Sequence, residues 1–323
     1  MDGWQNRLTL RWDEVRERWG LRNLLSPLLV LLFLLLLALL ALGWYWGREP
    51  SLFPVQAGGG PAGSALASVQ GRMALALVDK PGGYLNNDLL PPGSLADDIP
   101  AWERGVLQQM RDLSRVMSSP LGDSPPAPDL AEVAEAFAVA PDAWGMPSVE
   151  GELARGRDAL VRHRDHLAAP GGAALALREP QLRRWLAALQ GRLDDLSVRL
   201  NAAQAASLAP RGTVAPGTEA IPATSWARVD DVFFEARGSA WAQLHLLKAA
   251  ELDFAGLLQA RHADLNLRAA IHELEATQQP LWSPVILNGS GFGLFANHSL
   301  VLANYLHRAR AELAEVQALL DAS

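Results

Sequence analysis

The sequence predicts an all-α protein, with one N-terminal transmembrane helix and a tethered helical bundle. Three observations carry that reading. One unbroken apolar run spans residues 24–46. Downstream, apolar side chains recur at spacings of three and four, the period of a helix face, and no stretch alternates convincingly as a strand does. Pro/Gly clusters separate these stretches at places where helices should end.

The apolar run contains only Ser26 and Tyr45 as polar side chains. At ~1.5 Å per residue it is long enough for a hydrocarbon core of ~30 Å. Pro27 stands in the first turn, where a helix tolerates it. Trp44, Tyr45 and Trp46 close the run, as aromatic residues do at the headgroup level. Arg7, Arg11, Arg16, Arg18 and Arg22 precede it, and only Arg48 follows before Arg72. This asymmetry keeps residues 1–23 in the cytoplasm and exports the rest. A cleaved signal peptide is the rival reading, but its apolar region spans ~7–15 residues and ends at a small-x-small site. Here the run is longer, and aromatics follow Ala41-Leu42-Gly43. The expectation is a single-pass bacterial inner-membrane anchor with a periplasmic domain. In the tail, Trp4, Leu8, Trp12, Val15 and Trp19 share one helix face, with the arginines largely off it. This predicts an amphipathic tail on the inner leaflet, with Trp4, Trp12 and Trp19 as membrane contacts.

Composition excludes some functions. The net charge of −7 argues against nucleic acid, whose binders carry a basic footprint. The absence of cysteine removes disulfides, thiol catalysis and thiolate metal sites, and suits a periplasmic address.

Residues 47–64 are rich in Pro and Gly and read as a flexible tether. Residues 65–323 read as the helical domain. Its first helix covers residues 65–78 and ends at Lys80-Pro81-Gly82-Gly83. A turn-rich loop over 84–100 leads to a helix over 101–117. Further helices start from Asp129, running toward residue 138, and from Ser148, running toward residue 169. Leu182, Leu186, Leu189, Leu193, Leu196 and Leu200 form a seam, better read as one buried stripe than as a dimer interface. Residues 208–225 read as a mobile loop. A long helical region covers 226–279, broken near His262, with Gly238 and Gly256 as points of close packing or bending. The last helix covers 294–320, with Leu302, Tyr305, Ala309, Leu313, Val316 and Leu320 as its stripe.

No catalytic or metal motif is complete. The stretch Asn288-Gly289-Ser290-Gly291 precedes a helix, where exposed N–H groups bind anions. It lacks a Walker lysine and a preceding strand, so a structured turn is favoured. His163 and His166 stand three apart without further ligands, and His272-Glu273 lacks a second histidine, so no metal and no cofactor are expected. The doublets Asp97-Asp98, Asp194-Asp195 and Asp230-Asp231 read as solvated faces or caps rather than a glycosidase pair. Glu103, Glu235 and His298 are the candidate catalytic groups, and Tyr84, Asn288, Ser290 and Gly291 the candidate ligand-binding ones.

Four stretches carry a family resemblance. They are Lys80 through Asp88, Trp102 through Leu107, Asp230 through Gly238, and Trp282-Ser283-Pro284 with His298-Ser299-Leu300. Together with the anchor and Ser51-Leu52-Phe53-Pro54, they resemble the proteobacterial domain-of-unknown-function family number 2333, whose members are uncharacterised membrane-anchored proteins. Arg104 stands where phenylalanine is common in that family, and Asp98-Ile99 where Asn-Met is. The resemblance implies a membrane anchor and brings no activity, cofactor or catalytic residue. The expected function is a non-enzymatic interaction or scaffold module in the periplasm, acting on a protein partner or on itself. The alternative is an envelope hydrolase, or a small-ligand or lipid-binding domain, with a pocket between the first loop and the glycine-rich loop.

Overall fold

The computed structural model describes residues 21–56, 60–88, 98–120, 127–208, 229–280, 286 and 297–322. Among these residues it is all-α, with ten α-helices, one 3₁₀ turn and no strand. The helices are α1 Leu21–Trp46, α2 Ser64–Asp79, α3 Asp98–Met117, α4 Pro128–Ala136, α5 Val149–Ala168, α6 Glu179–Leu208, α7 Val229–Asp253, α8 Ala255–Ala260, α9 Asp264–Ala276 and α10 His298–Asp321. Helix α1 is long and apolar enough to cross a membrane, and 0 % of its apolar window is buried. The bundle buries none of residues 27–45 and meets the helix at Trp46, which separates it from a core helix of the same composition.

Helix α7 is the centre of the bundle. Every residue from Ala236 to Leu247 is buried, so all sides of this helix are covered. Helices α2, α3, α6, α9 and α10 pack around it. The closest approach is with α3. A Cβ added at Gly238 would stand 2.1 Å from the Trp102 carbonyl oxygen, and one at Gly105 would stand 2.2 Å from that of Glu235. The two backbones therefore touch where each helix lacks a side chain. The Trp102 and Trp241 rings meet edge to face beside this crossing, 5.1 Å between centroids.

The segment between α1 and α2 departs from the expected flexible tether. Residues 47–56 are docked on the bundle. Arg237 donates to Glu49 at 2.8 Å, and the Phe53 ring stacks on His245 at 3.9 Å. The Phe53 amide donates to His245 Nε2 at 3.1 Å, and Arg72 holds the Pro54 carbonyl. Pro and Gly permit an irregular path here, and aromatic and ionic contacts then fix one path. At the end of the segment, the Asp253 carboxylate accepts the Ala65 and Leu66 amides, capping α2 from another helix. Residues 57–59 lie outside the described residues.

These contacts give the bundle a direction. Moving from Glu49 to Phe53 to Ala65, the partners on α7 move from Arg237 to His245 to Asp253. The chain thus leaves α1 and travels along α7 from its N-terminal part to its C-terminus. Helix α2 returns, bringing Gly82 against Trp46. We call this the α1 end. Helices α4, α6 and α9 run toward it and α3, α5, α7 and α10 run away from it, as shown by Asn87–Glu150, Arg199–Glu235 and Arg237–Thr277 contacts there and Gln181–Met117 and Arg183–Asp321 contacts at the far end.

Most expected helices are found within a few residues. Ser148 caps α5 through the Gly151 amide. Asp129 is not a cap: Ala127 takes that place without a side-chain bond, and Asp129 lies in the first turn of α4, engaged by Arg162 and His166. The helix also ends at Ala136, short of the expected residue 138. The long helical region is described from Val229 and breaks twice, at Phe254 and at His262, where φ is +54°. A Cβ at Gly256 would meet nothing within 4 Å, so close packing there is ruled out. Every leucine of the 182–200 seam is buried within the bundle, as one stripe rather than a free interface. The last helix starts at His298, capped by Asn297. The expected mobile loop lies outside the described residues except for Leu208, which ends α6.

Gly238→Ala and Gly105→Ala should each separate α3 from α7 and lower stability by about 1–3 kcal/mol or more, as overpacking does. Gly256→Ala should be neutral or stabilising by up to about 1 kcal/mol. Urea unfolding followed by circular dichroism checks the ranking.

Candidate functional site

The site with the most organised chemistry is the loop between α2 and α3, folded around one carboxylate. Glu103 stands in the second turn of α3 and is 0 % exposed. Its Oε1 receives Lys80 Nζ at 2.7 Å and the Leu85 amide at 2.9 Å, and its Oε2 receives the Asn86 amide at 2.7 Å. Lys80, equally enclosed, also donates to the Gly83 carbonyl. Burial pushes the Glu103 carboxyl up, while Lys80 and the two backbone N–H groups pull it down. The run Lys80-Pro81-Gly82-Gly83 thus does more than stop α2. It turns the chain so that its own lysine and amides converge on a helix that follows in sequence.

The loop then reaches outward. Tyr84 and Asn86 both donate to the Pro141 carbonyl, at 2.8 and 2.7 Å, and Asn87 donates to that of Ala143 at 3.2 Å. Burial, and the charge of Glu103 after it, push the Tyr84 phenol well above its usual range, so it remains a donor. Arg111 adds bonds to the carbonyls of Phe137 and Val139. On the opposite side, Gly82 takes a positive φ, and a Cβ there would stand 2.8 Å from the Trp46 indole. One loop therefore joins the end of α1, helix α3 and the segment before α5.

The other candidates are placed as follows. Glu235 lies on α7 and is held by Arg199 through both oxygens, at 2.6 and 2.7 Å. His298 stands in the first turn of α10 with its ring 6.3 Å from that of Phe233, and burial lowers its pKa. Tyr84 and Glu103 are brought together. Glu103 and Glu235 belong to separate ion pairs with different cations. Asn288, Ser290 and Gly291 lie outside the described residues, as do Trp4, Trp12 and Trp19. Trp44 and Tyr45 are exposed at the end of α1, with Arg48 over both rings, and Trp46 is partly covered by the loop. His163 is buried while His166 reaches out to Asp129, so the two do not converge.

An open cavity of about 390 Å³ lies between α9 and α10, lined by His272, Glu273, Glu275, Tyr305 and Arg308 among others. None of the candidate residues lines it, and its carboxylates are paired, Glu273 with Arg308 and Glu275 with Lys248.

Sequence reading missed Lys80 as the partner of Glu103, and His245 as the acceptor for Phe53. His245 is buried, donates from Nδ1 to the Trp241 carbonyl, and has its pKa lowered to about 4 by burial. It is therefore neutral at neutral pH, which leaves Nε2 free to accept. No local motif announces either pairing. The only signal for Lys80 was the scarcity of lysine and its place beside the turn.

The model of a family of uncharacterised proteins conserved in bacteria, domain-of-unknown-function family number 2333, matches residues 19–323. The chain belongs to that family. No curated protein and no solved structure matches it.

Glu103→Ala leaves a buried lysine and two amides without their partner and should cost about 3–5 kcal/mol. Glu235→Ala removes a partly exposed pair and should cost about 0–1 kcal/mol. Thermal unfolding of the two variants checks the contrast.

Proposed function

We propose that this chain is a single-pass inner-membrane protein with its N-terminus in the cytoplasm, and that its bundle is a non-enzymatic interaction module in the periplasm. The observation that carries the reading is the junction at the end of α1. An apolar helix with none of residues 27–45 buried meets the bundle where it ends, with Trp46 on Gly82 and Glu49 on Arg237. Such a junction supports an uncleaved anchor, because a leader that is removed needs no docked boundary. Orientation follows from the arginines that precede α1.

An interaction role is favoured over catalysis by what the carboxylates are doing. Glu103 is enclosed by Lys80 and the loop, and Glu235 is engaged by Arg199. A general acid or base needs a proton path to substrate, and these groups instead join elements of the fold. The partner is a second protein or another copy of the chain.

The chain has no native cysteine, so one placed at Ser323 reports topology alone. It should react with a membrane-impermeant thiol reagent once the outer membrane is permeabilised. Reaction only after the inner membrane is lysed would reverse the orientation. Photo-crosslinkers at exposed bundle positions, at native expression, should give a discrete adduct of higher mass. Monomer alone at every position would reject the interaction role.

A further inference from the structure

We propose that the loop carrying Trp144 and Met146 is a second membrane contact, resting in the lipid headgroup region beside the anchor. The inference rests on the membrane placement of α1 proposed above and adds a surface to it.

Among the described side chains, Met146 and Trp144 are the most exposed large apolar ones, at 95 % and 75 %, ahead of those of α1 from residue 27 on. Scattered exposed apolar residues need no explanation, but these two differ in how they are presented. Their backbone is fastened. Tyr84 and Asn86 hold the Pro141 carbonyl, Asn87 holds that of Ala143, and Arg111 holds those of Phe137 and Val139. Behind them, Ser148 caps α5. A tryptophan and a methionine are thus held out into solvent by a bonded scaffold rather than left on a loose turn.

Their position selects the occupant. Tyr84, Asn86 and Asn87, which hold the Pro141 and Ala143 carbonyls, belong to the same turn that Trp46 packs on through Gly82. Gly82 and Asn86 are four residues apart, at most about 15 Å along the chain. Helix α4 runs toward the α1 end and α5 away from it, so the connection between them lies at that end. Trp44 and Tyr45, both exposed, mark the interface at the end of α1. A second tryptophan at the same end, on a rigid support, matches the preference of an amphipathic indole for the headgroup boundary. Asp142 and Glu150 flank the loop, which limits the contact to that boundary and keeps it out of the hydrocarbon. Two contacts, a spanning helix and a resting loop, would fix the tilt of the bundle on the bilayer.

The test uses the full chain in phosphatidylethanolamine–phosphatidylglycerol vesicles, with one cysteine at a time carrying an environment-sensitive dye. Met146→Cys is the probe. Leu265→Cys, 70 % exposed at the start of α9 on the far end, is the aqueous control, and Leu35→Cys in α1 is the membrane control. Headgroup-level nitroxide lipids should quench the dye at position 146 several-fold more than at 265, with a blue-shifted emission at 146. Deep nitroxide lipids should quench position 35. Quenching at 35 with position 146 behaving like 265 overturns the loop contact and leaves the anchor standing. A dye at 146 that is shielded from iodide yet indifferent to lipid nitroxides means that protein covers the loop, and overturns it too. No quenching at 35 overturns the anchor and the contact together.

Discussion

The buried carboxylate of Glu103 organises the α1 end of this protein. Desolvating a carboxylate is costly unless it is paired and hydrogen-bonded, and here a lysine and two amides meet that demand from one short turn. Because the donors all belong to the 80–86 segment, satisfying Glu103 fixes the path of that segment. Once fixed, it presents Gly82 to Trp46 on one side and Tyr84, Asn86 and Asn87 to the Pro141–Ala143 backbone on the other. The charge that looked like a reactive group is the point where the end of α1, helix α3 and the approach to α5 are joined.

The second constraint is the α3–α7 crossing. With glycine on both faces, the helices approach until backbone meets backbone, and Ser239 adds a bond to the Gly105 carbonyl. This places Glu103 at the crossing, between Trp102 and Gly105. It also leaves α7 enclosed from Ala236 to Leu247, so α7 can serve as the track for the 47–56 segment. Glu49, Phe53 and the start of α2 find successive partners along it at Arg237, His245 and Asp253. The result is a domain seated on the end of its own apolar helix α1, with the loop-bearing end turned toward it.

Much of the fold was legible because helix periodicity and Pro/Gly punctuation are local signals. The leucine seam, the Ser148 cap and the break at His262 all follow from neighbours in the sequence. What was not legible depends on partners far apart in the chain. Residues 47–64 have the composition of a linker, and only Phe53 and Glu49 hint otherwise, since their partners lie 192 and 188 residues away. Lys80 was not legible as the partner of Glu103, because a carboxylate in a short tryptophan-containing motif carries no mark of what neutralises it. Arg104, expected from the resemblance to depart from the family pattern, has a partly exposed side chain between Asn86 and Asp231.

The bundle is seated on the end of helix α1 through the docked 47–56 segment, and does not swing on a tether. Amide hydrogen exchange across residues 50–56 in the membrane-inserted protein tests this most directly. The Phe53 amide, held by His245 Nε2 beneath a stacked ring, should be protected on the scale of the α7 amides. Exchange of residues 50–56 at the rate of an unstructured peptide, with α7 still protected, would contradict the account.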